Sequence, residues 1–338
     1  MHDAGAGRCR RAGARKAQHR NLQSSVARRL HTAGDQGTLE KLNIVIFSPP
    51  SLGAFIPPVI KAQKFDQANG LDLTFSERTP DAYTTQFNSG EFKIGGSASL
   101  QTIGLADVRG VKVKYLFNLF DFWGTVVTSR DNVKTVKDIE GKQLAAARST
   151  TNYKMFEFFA TKAGADVSKF QVVNTAPPGL MSYAIADRAD AIQIWEPTYT
   201  LLKAKKPSVR AIDLGIGKIW KAFSGGGTRI PYLGVAAHAD WADQNPELIK
   251  KLYATYQQAA EWLQKNPDAA APLMFPKASP EDQKQIAALI RANDRLGISM
   301  GGANEMRKEI EAVYRSGMEI KYFPSMPSAA SIYDKPVQ

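Results

Sequence analysis

The stretch Gly141–Pro197, GKQLAAARSTTNYKMFEFFATKAGADVSKFQVVNTAPPGLMSYAIADRADAIQIWEP, decides the fold. An apolar run, Gln143–Ala147, leads into the polar turn Arg148-Ser149-Thr150-Thr151-Asn152. After it Tyr153, Phe156, Phe159, Ala160 and Ala163 recur at helical spacing until Gly164 stops the helix. A second strand over Phe170–Asn174, a helix opened by Pro177-Pro178 and a third strand over Ala191–Trp195 follow. Strand, helix, strand, helix, strand is the order of a parallel sheet with crossover helices, an α/β architecture. Ligands of such sheets sit at the carboxyl ends of the strands. Two polar loops fall there, Arg148–Asn152 and Trp195-Glu196-Pro197.

Upstream, the apolar strand Leu42–Phe47 delivers the loop Ser48–Leu52, Pro57-Pro58 opens a helix and Gly70 closes it. A strand over Leu71–Phe75, a helix starting near Asp81, the Gly90 turn and a short strand over Phe92–Gly95 lead to a loop, Gly96-Ser97-Ala98-Ser99, and a helix ending near Gly110. Val111–Leu119 alternates as a strand and runs through Phe120–Gly124 into another, Thr125–Ser129. Downstream lies a strand over Val209–Leu214. Three helix starts follow, at Asn245-Pro246-Glu247, Asn266-Pro267-Asp268 and Ser279-Pro280-Glu281-Asp282. Each pairs a capping side chain with a first-turn proline and an acid near the positive helix end. Gly297 and Gly317 read as stops, and Ile249, Leu252, Tyr256, Ala259 and Leu263 as one core-facing stripe.

The chain of 338 residues, 43% of them hydrophobic, is long enough for two ordinary domains. Its net charge is +12, but residues 1–37 hold eight Lys or Arg against two acids, so half of that charge sits in a tail. The tail has few apolar residues and no periodicity, so residues 1–38 read as a disordered basic segment. No apolar core of the kind a secretory signal needs follows its basic part, and none follows Arg28-Arg29. No run of about 18 apolar residues occurs, so no membrane span is expected. Cys9 is the only cysteine, and His2, His19, His31 and His238 are the histidines. Beyond the tail, a zinc site or a Ser/His/Asp relay would have to be built around His238 alone. We therefore expect no catalytic residue, no metal and no cofactor. Gly215-Ile216-Gly217 lacks the third small residue of a dinucleotide fingerprint, and Gly225-Gly226-Gly227-Thr228 lacks the Lys-Ser/Thr of a phosphate loop; both read as loops.

Four features resemble, in order, the solute-binding proteins of the nitrate, sulfonate and taurine type that serve ABC importers. They are the helix-to-strand turn Ala62–Leu73 (AQKFDQANGLDL), the stretch Gly90–Ser99, the Gly141-Lys142 turn leading to the Ser/Thr-rich helix start at Ser149–Asn152, and Ala189-Asp190-Ala191 before Trp195-Glu196-Pro197. The resemblance covers roughly residues 40–300. It implies a type II periplasmic-binding-protein fold: two α/β domains, a cleft between them and two hinge crossings. By analogy with the family, residues 39–120 and 238–338 form the first domain and 121–237 the second, with the return near Tyr232–His238. The resemblance further implies a monomer in the periplasm, working with permease and ATPase subunits, with no nucleic acid and no membrane span of its own. Two other classes share the architecture. Thiamine-pyrimidine synthases are associated with a cysteine cluster and histidines, which this chain lacks outside its tail except for His238. Ligand-sensing regulators carry a helix-turn-helix, for which the tail has no apolar pattern.

The four polar strand-end loops, Ser48–Leu52, Gly96–Ser99, Arg148–Asn152 and Trp195–Pro197, would meet across such a cleft. A helix start leaves backbone N–H groups unpaired and carries the positive end of the dipole, so Ser149, Thr150, Thr151 and Asn152, with Arg148 beside them, suit a sulfonate, carboxylate or phosphate. The bland alternative is that Thr151 caps its own helix and Arg148 is solvated. Glu196 could accept from an ammonium while Trp195 stacks on the ligand body, or else Trp195 is core and Glu196 pairs with a protein cation. Ser51, Ser97 and Ser99 would add small donors from the first domain. Trp123 would stand at the first crossing and Tyr232 at the second.

Overall fold

The computed structural model describes residues 37–338. The basic tail therefore lies outside the described residues except for its last two, as do Cys9 and the three tail histidines. The chain starts with β1 (Glu40–Phe47), α1 (Ile56–Gln63), α2 (Phe65–Ala68), β2 (Leu71–Arg78) and α3 (Pro80–Asn88). It continues with β3 (Ile94–Ser99), α4 (Leu100–Val108) and β4 (Val113–Asp121). It then crosses to β5 (Thr125–Thr128), β6 (Gln143–Ala146), α5 (Thr151–Lys162), β7 (Gln171–Asn174), α6 (Gly179–Ile185), β8 (Ala191–Ile194), α7 (Thr198–Lys205), β9 (Arg210–Ile212) and α8 (Ile216–Phe223). It returns through β10 (Pro231–His238) to α9 (Ala239–Gln244), α10 (Pro246–Lys265), α11 (Pro267–Met274), α12 (Pro280–Ala292), β11 (Ile298–Gly302) and α13 (Arg307–Glu319).

Two sheets result, one of order β11-β4-β10-β3-β1-β2 and one of order β7-β6-β8-β5-β9. Parallel pairs form where a crossover helix joins or flanks the strands: β1 with β3, and β6 with both β7 and β8. The strands that follow a crossing run the other way: β5 is antiparallel to β8 and β9, and β10 to β3 and β4. A chain that leaves one sheet at its carboxyl edge enters the next at the same edge, so its first strand must point backwards. The sheets are thus mixed, where the alternation alone suggested purely parallel ones. All of β10, Pro231–His238, pairs within the larger sheet, with β3 and β4.

Gly96–Ser99 is not a loop. It is the second half of β3, and all six residues of that strand are buried. Gly96 had suggested a turn, but it answers a packing need, as does Gly95 before it: a Cβ on Gly95 would meet the Tyr83 hydroxyl at 2.3 Å, and one on Gly96 would meet Ile44 and Ile46 at 2.9 Å. Two further expectations are corrected. Only Ser279 caps its helix with its side chain, to the Asp282 amide, whereas Asn245 and Asn266 donate back to the carbonyls of Trp241 and Trp262 and close the preceding helices. Gly317 lies inside α13, where a Cβ would meet the Phe323 ring at 2.4 Å. The stop before β11 is Asn293, in the left-handed region at φ 48°.

Helix α5 joins the two lobes. Tyr153, Phe156 and Ala160 enter the core of the smaller sheet, while Met155, Phe158 and Phe159 enter the core of the larger one. The sequence stripe had placed Phe159 with Tyr153 and Phe156. In the fold it stacks on Phe122 at 5.7 Å and leans on Trp220 at 6.2 Å. A helix apolar on two faces must be covered on both, so α5 belongs to neither lobe alone.

The two crossings run side by side. The Phe122 amide donates to the Ile230 carbonyl at 2.7 Å, and Arg229 grips Asp121 through Nε and Nη2, each at 3.2 Å. Asn118 and the Ser299 carbonyl complete this clasp. Burial raises the Asp121 carboxyl above its ordinary 3.8, against the opposing pull of Arg229.

Truncating Phe159→Ala should cost about 3–5 kcal/mol in urea unfolding, because it would open a cavity beside Phe122 and Trp220 in the larger core. The folded Asp121 carboxyl binds its proton more readily than the unfolded one. Its contribution to stability is therefore present below the ordinary 3.8 and is lost as pH rises through the raised folded value. Asp121→Asn should flatten the acid limb of the stability profile over that window, as measured by denaturant titrations at successive pH values.

Candidate functional site

The carboxyl ends of both sheets open on one cavity of about 120 Å³. The first lobe contributes Phe47 at the end of β1, Ser51 and Leu52 after it, the first turn of α3, Ser99 at the end of β3, Thr102, and Tyr232 and Leu233 from β10. The second lobe contributes Ser149, Thr150 and Thr151 between β6 and α5, Pro177 after β7, and Trp195 after β8. The strand-end rule for α/β sheets thus holds in both lobes. The volume is of the order of the ~150 Å³ engineered cavity that takes up benzene, so the space suits a small molecule.

At the amino end of α5, Thr150 is the cap: its hydroxyl accepts from the Tyr153 amide at 3.3 Å, and its own amide donates to the Ala147 carbonyl at 3.0 Å. The cap is Thr150 rather than Thr151. The amides of Ser149 and Thr151 have no protein acceptor among the described residues. They stand on the cavity wall at the positive end of a twelve-residue helix.

Thr151 is instead the middle of a hydroxyl chain that crosses between the lobes. Ser99 Oγ donates to Thr151 Oγ1 at 2.7 Å, and Thr151 Oγ1 donates to the Tyr232 hydroxyl at 3.4 Å. With each proton passed along, the phenol proton is left free for a guest. Burial pushes the Tyr232 pKa above its ordinary 10, so the phenol stays a donor at neutral pH. Phe122 backs it, with the rings edge-on at 5.7 Å. Among the lining residues there is no Lys, Arg, His or Cys, and Asp81 is the only charged one. An anion here would be held by neutral donors alone.

The structure therefore brings Ser51, Ser99, Ser149, Thr150, Thr151, Trp195 and Tyr232 to one cavity. It does not bring Ser97, Trp123, Arg148, Asn152 or Glu196 there. Ser97 is fully buried and accepts the Phe47 amide at 2.8 Å, so it positions a wall residue. Trp123 lies against Tyr199, with ring centroids 5.3 Å apart, and lines a separate surface groove with Asp213 and Ile216. Arg148 is exposed, and its contact is through its backbone amide, to Asn174 Oδ1 at 3.0 Å. Asn152 is fully buried: it donates to the Trp123 carbonyl at 3.1 Å and accepts from Gln193 at 2.8 Å. Glu196, 2% exposed, is occupied by protein, as the alternative reading of it had allowed. Arg295 Nε donates to it at 2.9 Å, and the Thr200 hydroxyl and amide donate at 2.8 and 3.0 Å.

Sequence reading missed Asp81, Thr84 and Thr102. A signal for Asp81 existed: the turn after β2 is another strand end, and the rule that selected the other four loops selects this one too. Asp81 reads equally as a first-turn acid on α3. His238 is not on the cavity; its ring packs on Phe87 and Nε2 contacts the Phe87 carbonyl at 2.6 Å.

Comparison with known proteins sets this geometry in context. A family model described as NMT1/THI5 like matches residues 59–270. A Brucella abortus protein, named only as a binding protein, is 22% identical over 145 residues. That match spans 42% of this chain and 42% of the relative, about two fifths of each. The periplasmic aliphatic sulphonate binding protein SsuA of Escherichia coli has a similar structure, with a TM-score of 0.67, 15% identity, and coverage of 85% of this chain and 95% of that one. The alkanesulfonate-binding protein SsuA of Xanthomonas axonopodis pv. citri, solved with MOPS, superposes with a TM-score of 0.69 and 15% identity over 88% of this chain and 99% of that one. At such identities the likeness shows the fold, a two-domain periplasmic-binding-protein fold, as expected from the sequence. These structural neighbours are binding proteins rather than enzymes. No helix among the described residues is long and apolar enough to cross a membrane.

Because Glu196 already accepts three hydrogen bonds from Arg295 and Thr200, Glu196→Gln should leave the affinity for any cleft ligand within about two-fold by calorimetry. Arg295→Ala strands the buried carboxylate with Thr200 alone and should lower unfolding free energy by about 1–3 kcal/mol. A large affinity loss in Glu196→Gln with unchanged stability would contradict this assignment.

Proposed function

The chain belongs to the NMT1/THI5-like family, and from that premise we propose that it is the solute-binding component of an ABC importer. It captures a small anionic organic solute (a sulfonate, a taurine-like or nitrate-like compound, or a carboxylate) between its lobes by hinge closure. One observation carries this reading: the uncovered amino end of α5 on one lobe and the hydroxyls of Ser51, Ser99 and Tyr232 on the other line the same cavity. Backbone amides at a helix start favour a negative group, and the Tyr232 phenol, whose proton the Ser99–Thr151 chain leaves free, adds a donor. Trp195 and Phe47 supply apolar wall for the body of the guest. Ser97 serves this site indirectly, by holding the amide of the wall residue Phe47.

In this proposal the lobes are residues 41–120 with 231–338, and 121–230, hinged at the paired crossings that Asp121 and Arg229 clasp. A hinge of two adjacent strands permits one lobe to rotate on the other while both stay folded. The protein acts as a monomer in the periplasm and delivers its solute to permease and ATPase subunits. Binding is its task. The absence of cysteine and histidine from the lining residues supports that over the pyrimidine-synthase alternative.

A thermal-shift screen of small sulfonates, carboxylates, nitrate and pyrimidines should yield a ligand that, at a hundred times its dissociation constant, adds about 2.7 kcal/mol. X-ray scattering should show a smaller radius of gyration when that ligand is added. Thr151→Val should weaken its binding roughly ten-fold, the value of one or two desolvated hydrogen bonds. Full affinity in that variant, or a stabilising screen made up only of cations, would end the proposal.

A further inference from the structure

Resting on the reading that the lobes close about the paired crossings, we propose that Lys205 and Asp282 form a latch that holds them closed from outside the cavity. The latch is electrostatic, and it sets how often the lobes part.

Among the described residues, three ion pairs join the lobes: Lys162 with Glu319, Glu196 with Arg295, and Lys205 with Asp282. The first lies on α5, whose Phe158 and Phe159 are packed in the larger core, so it does not part when the lobes do. The second lies at the pivot. Arg295 is two residues before Gly297, whose carbonyl accepts from the Asp121 amide at 2.7 Å, and it covers the ring of Tyr199, which packs on Trp123 at the first crossing. A contact beside a pivot moves little as the lobes rotate. The third pair lies at the far end of α7, about 12 Å along an eight-residue helix from the pivot, where displacement is larger.

Lys205 Nζ donates to both carboxylate oxygens of Asp282, at 2.9 and 3.1 Å. Each charge also has support from its own helix. Lys205 is the last residue of α7, at the negative end of its dipole, and Asp282 is in the first turn of α12, at the positive end. Either can therefore leave the other without being stranded, which a reversible contact requires and a buried pair does not allow. A groove of about 730 Å³ runs beside the pair, lined by Lys203, Ser279, Glu281 and Gln285 among others, so water and salt reach it. None of these residues lines the solute cavity. Only the closed form grips a solute from both sides, so a broken latch lowers apparent affinity by the fraction of closed protein that is lost.

Nitroxide labels on the full chain test this without a solute. Cysteines are placed by Ser208→Cys and Lys284→Cys, exposed positions on opposite lobes, with Cys9→Ser to leave no other thiol. Pulsed dipolar spectroscopy at low salt should find mostly one short distance. Lys205→Glu, or about 1 M salt with its ~3 Å screening length, should raise the ratio of open to closed protein roughly five-fold. The reversed pair, Lys205→Glu with Asp282→Lys, should restore most of the short distance, which separates the latch from damage to α7. Distances that are long without either substitution, or that Lys205→Glu leaves unchanged, overturn the latch and leave the solute site standing. If Lys205→Glu opens the lobes and excess ethanesulfonate does not shorten the distance again, the latch stands and the anion reading loses support.

Discussion

Helix α5 must be buried on two sides at once, and the rest of the structure follows from that. Phe156 faces one core and Phe159 the other, so the helix can rest only where two sheets approach each other. Its body is then covered along its length, but its first turn projects at the edge where the lobes part. The amides of Ser149 and Thr151 there have no protein acceptor among the described residues. An opening at the lobe edge is therefore a by-product of how the helix is packed, and the hydroxyls of Ser99, Thr151 and Tyr232 are arranged around it.

The absence of a cation from the cavity has a physical logic. A lysine or arginine buried there would carry a large desolvation cost unless paired. Neutral hydroxyls and amides cost less to leave waiting, particularly when Ser99, Thr151 and Tyr232 satisfy one another in the meantime. Charge is placed instead where water or protein already stabilises it: Asp81 at the rim on a helix dipole, Glu196 behind the wall in the grip of Arg295, and Asp121 in the hinge with Arg229.

Much of the fold could be read from the residues. The alternation from Gln143 to Trp195, the proline-opened helices at Pro246, Pro267 and Pro280, and the strand at Leu42–Phe47 are local patterns, and the structure follows them. The misread elements were those where one residue type serves two purposes. Gly96 suggested a loop and proved to be a close contact inside a strand, and Asn245 and Asn266 suggested caps and proved to finish the helices before them. The site divides in the same way. Ser149–Thr151, Trp195 and Tyr232 reach the cavity because strand ends converge there, a rule that sequence order can apply. Asn152 and Glu196 sit in the same loops yet turn inward, and no local pattern tells an inward side chain from an outward one at a strand end.

By itself, then, the sequence determined which segments are strands and helices, which loops stand at strand ends, and that the folded part has one histidine and no cysteine for chemistry. The tertiary structure alone decided that α5 is shared between lobes, and that Arg295 holds Glu196 away from the cavity while Asp81 is among its lining residues. The difference is one of range. Periodicity and capping act within a few residues, whereas the partner of Glu196 lies 99 residues further along the chain and is chosen by how two lobes dock.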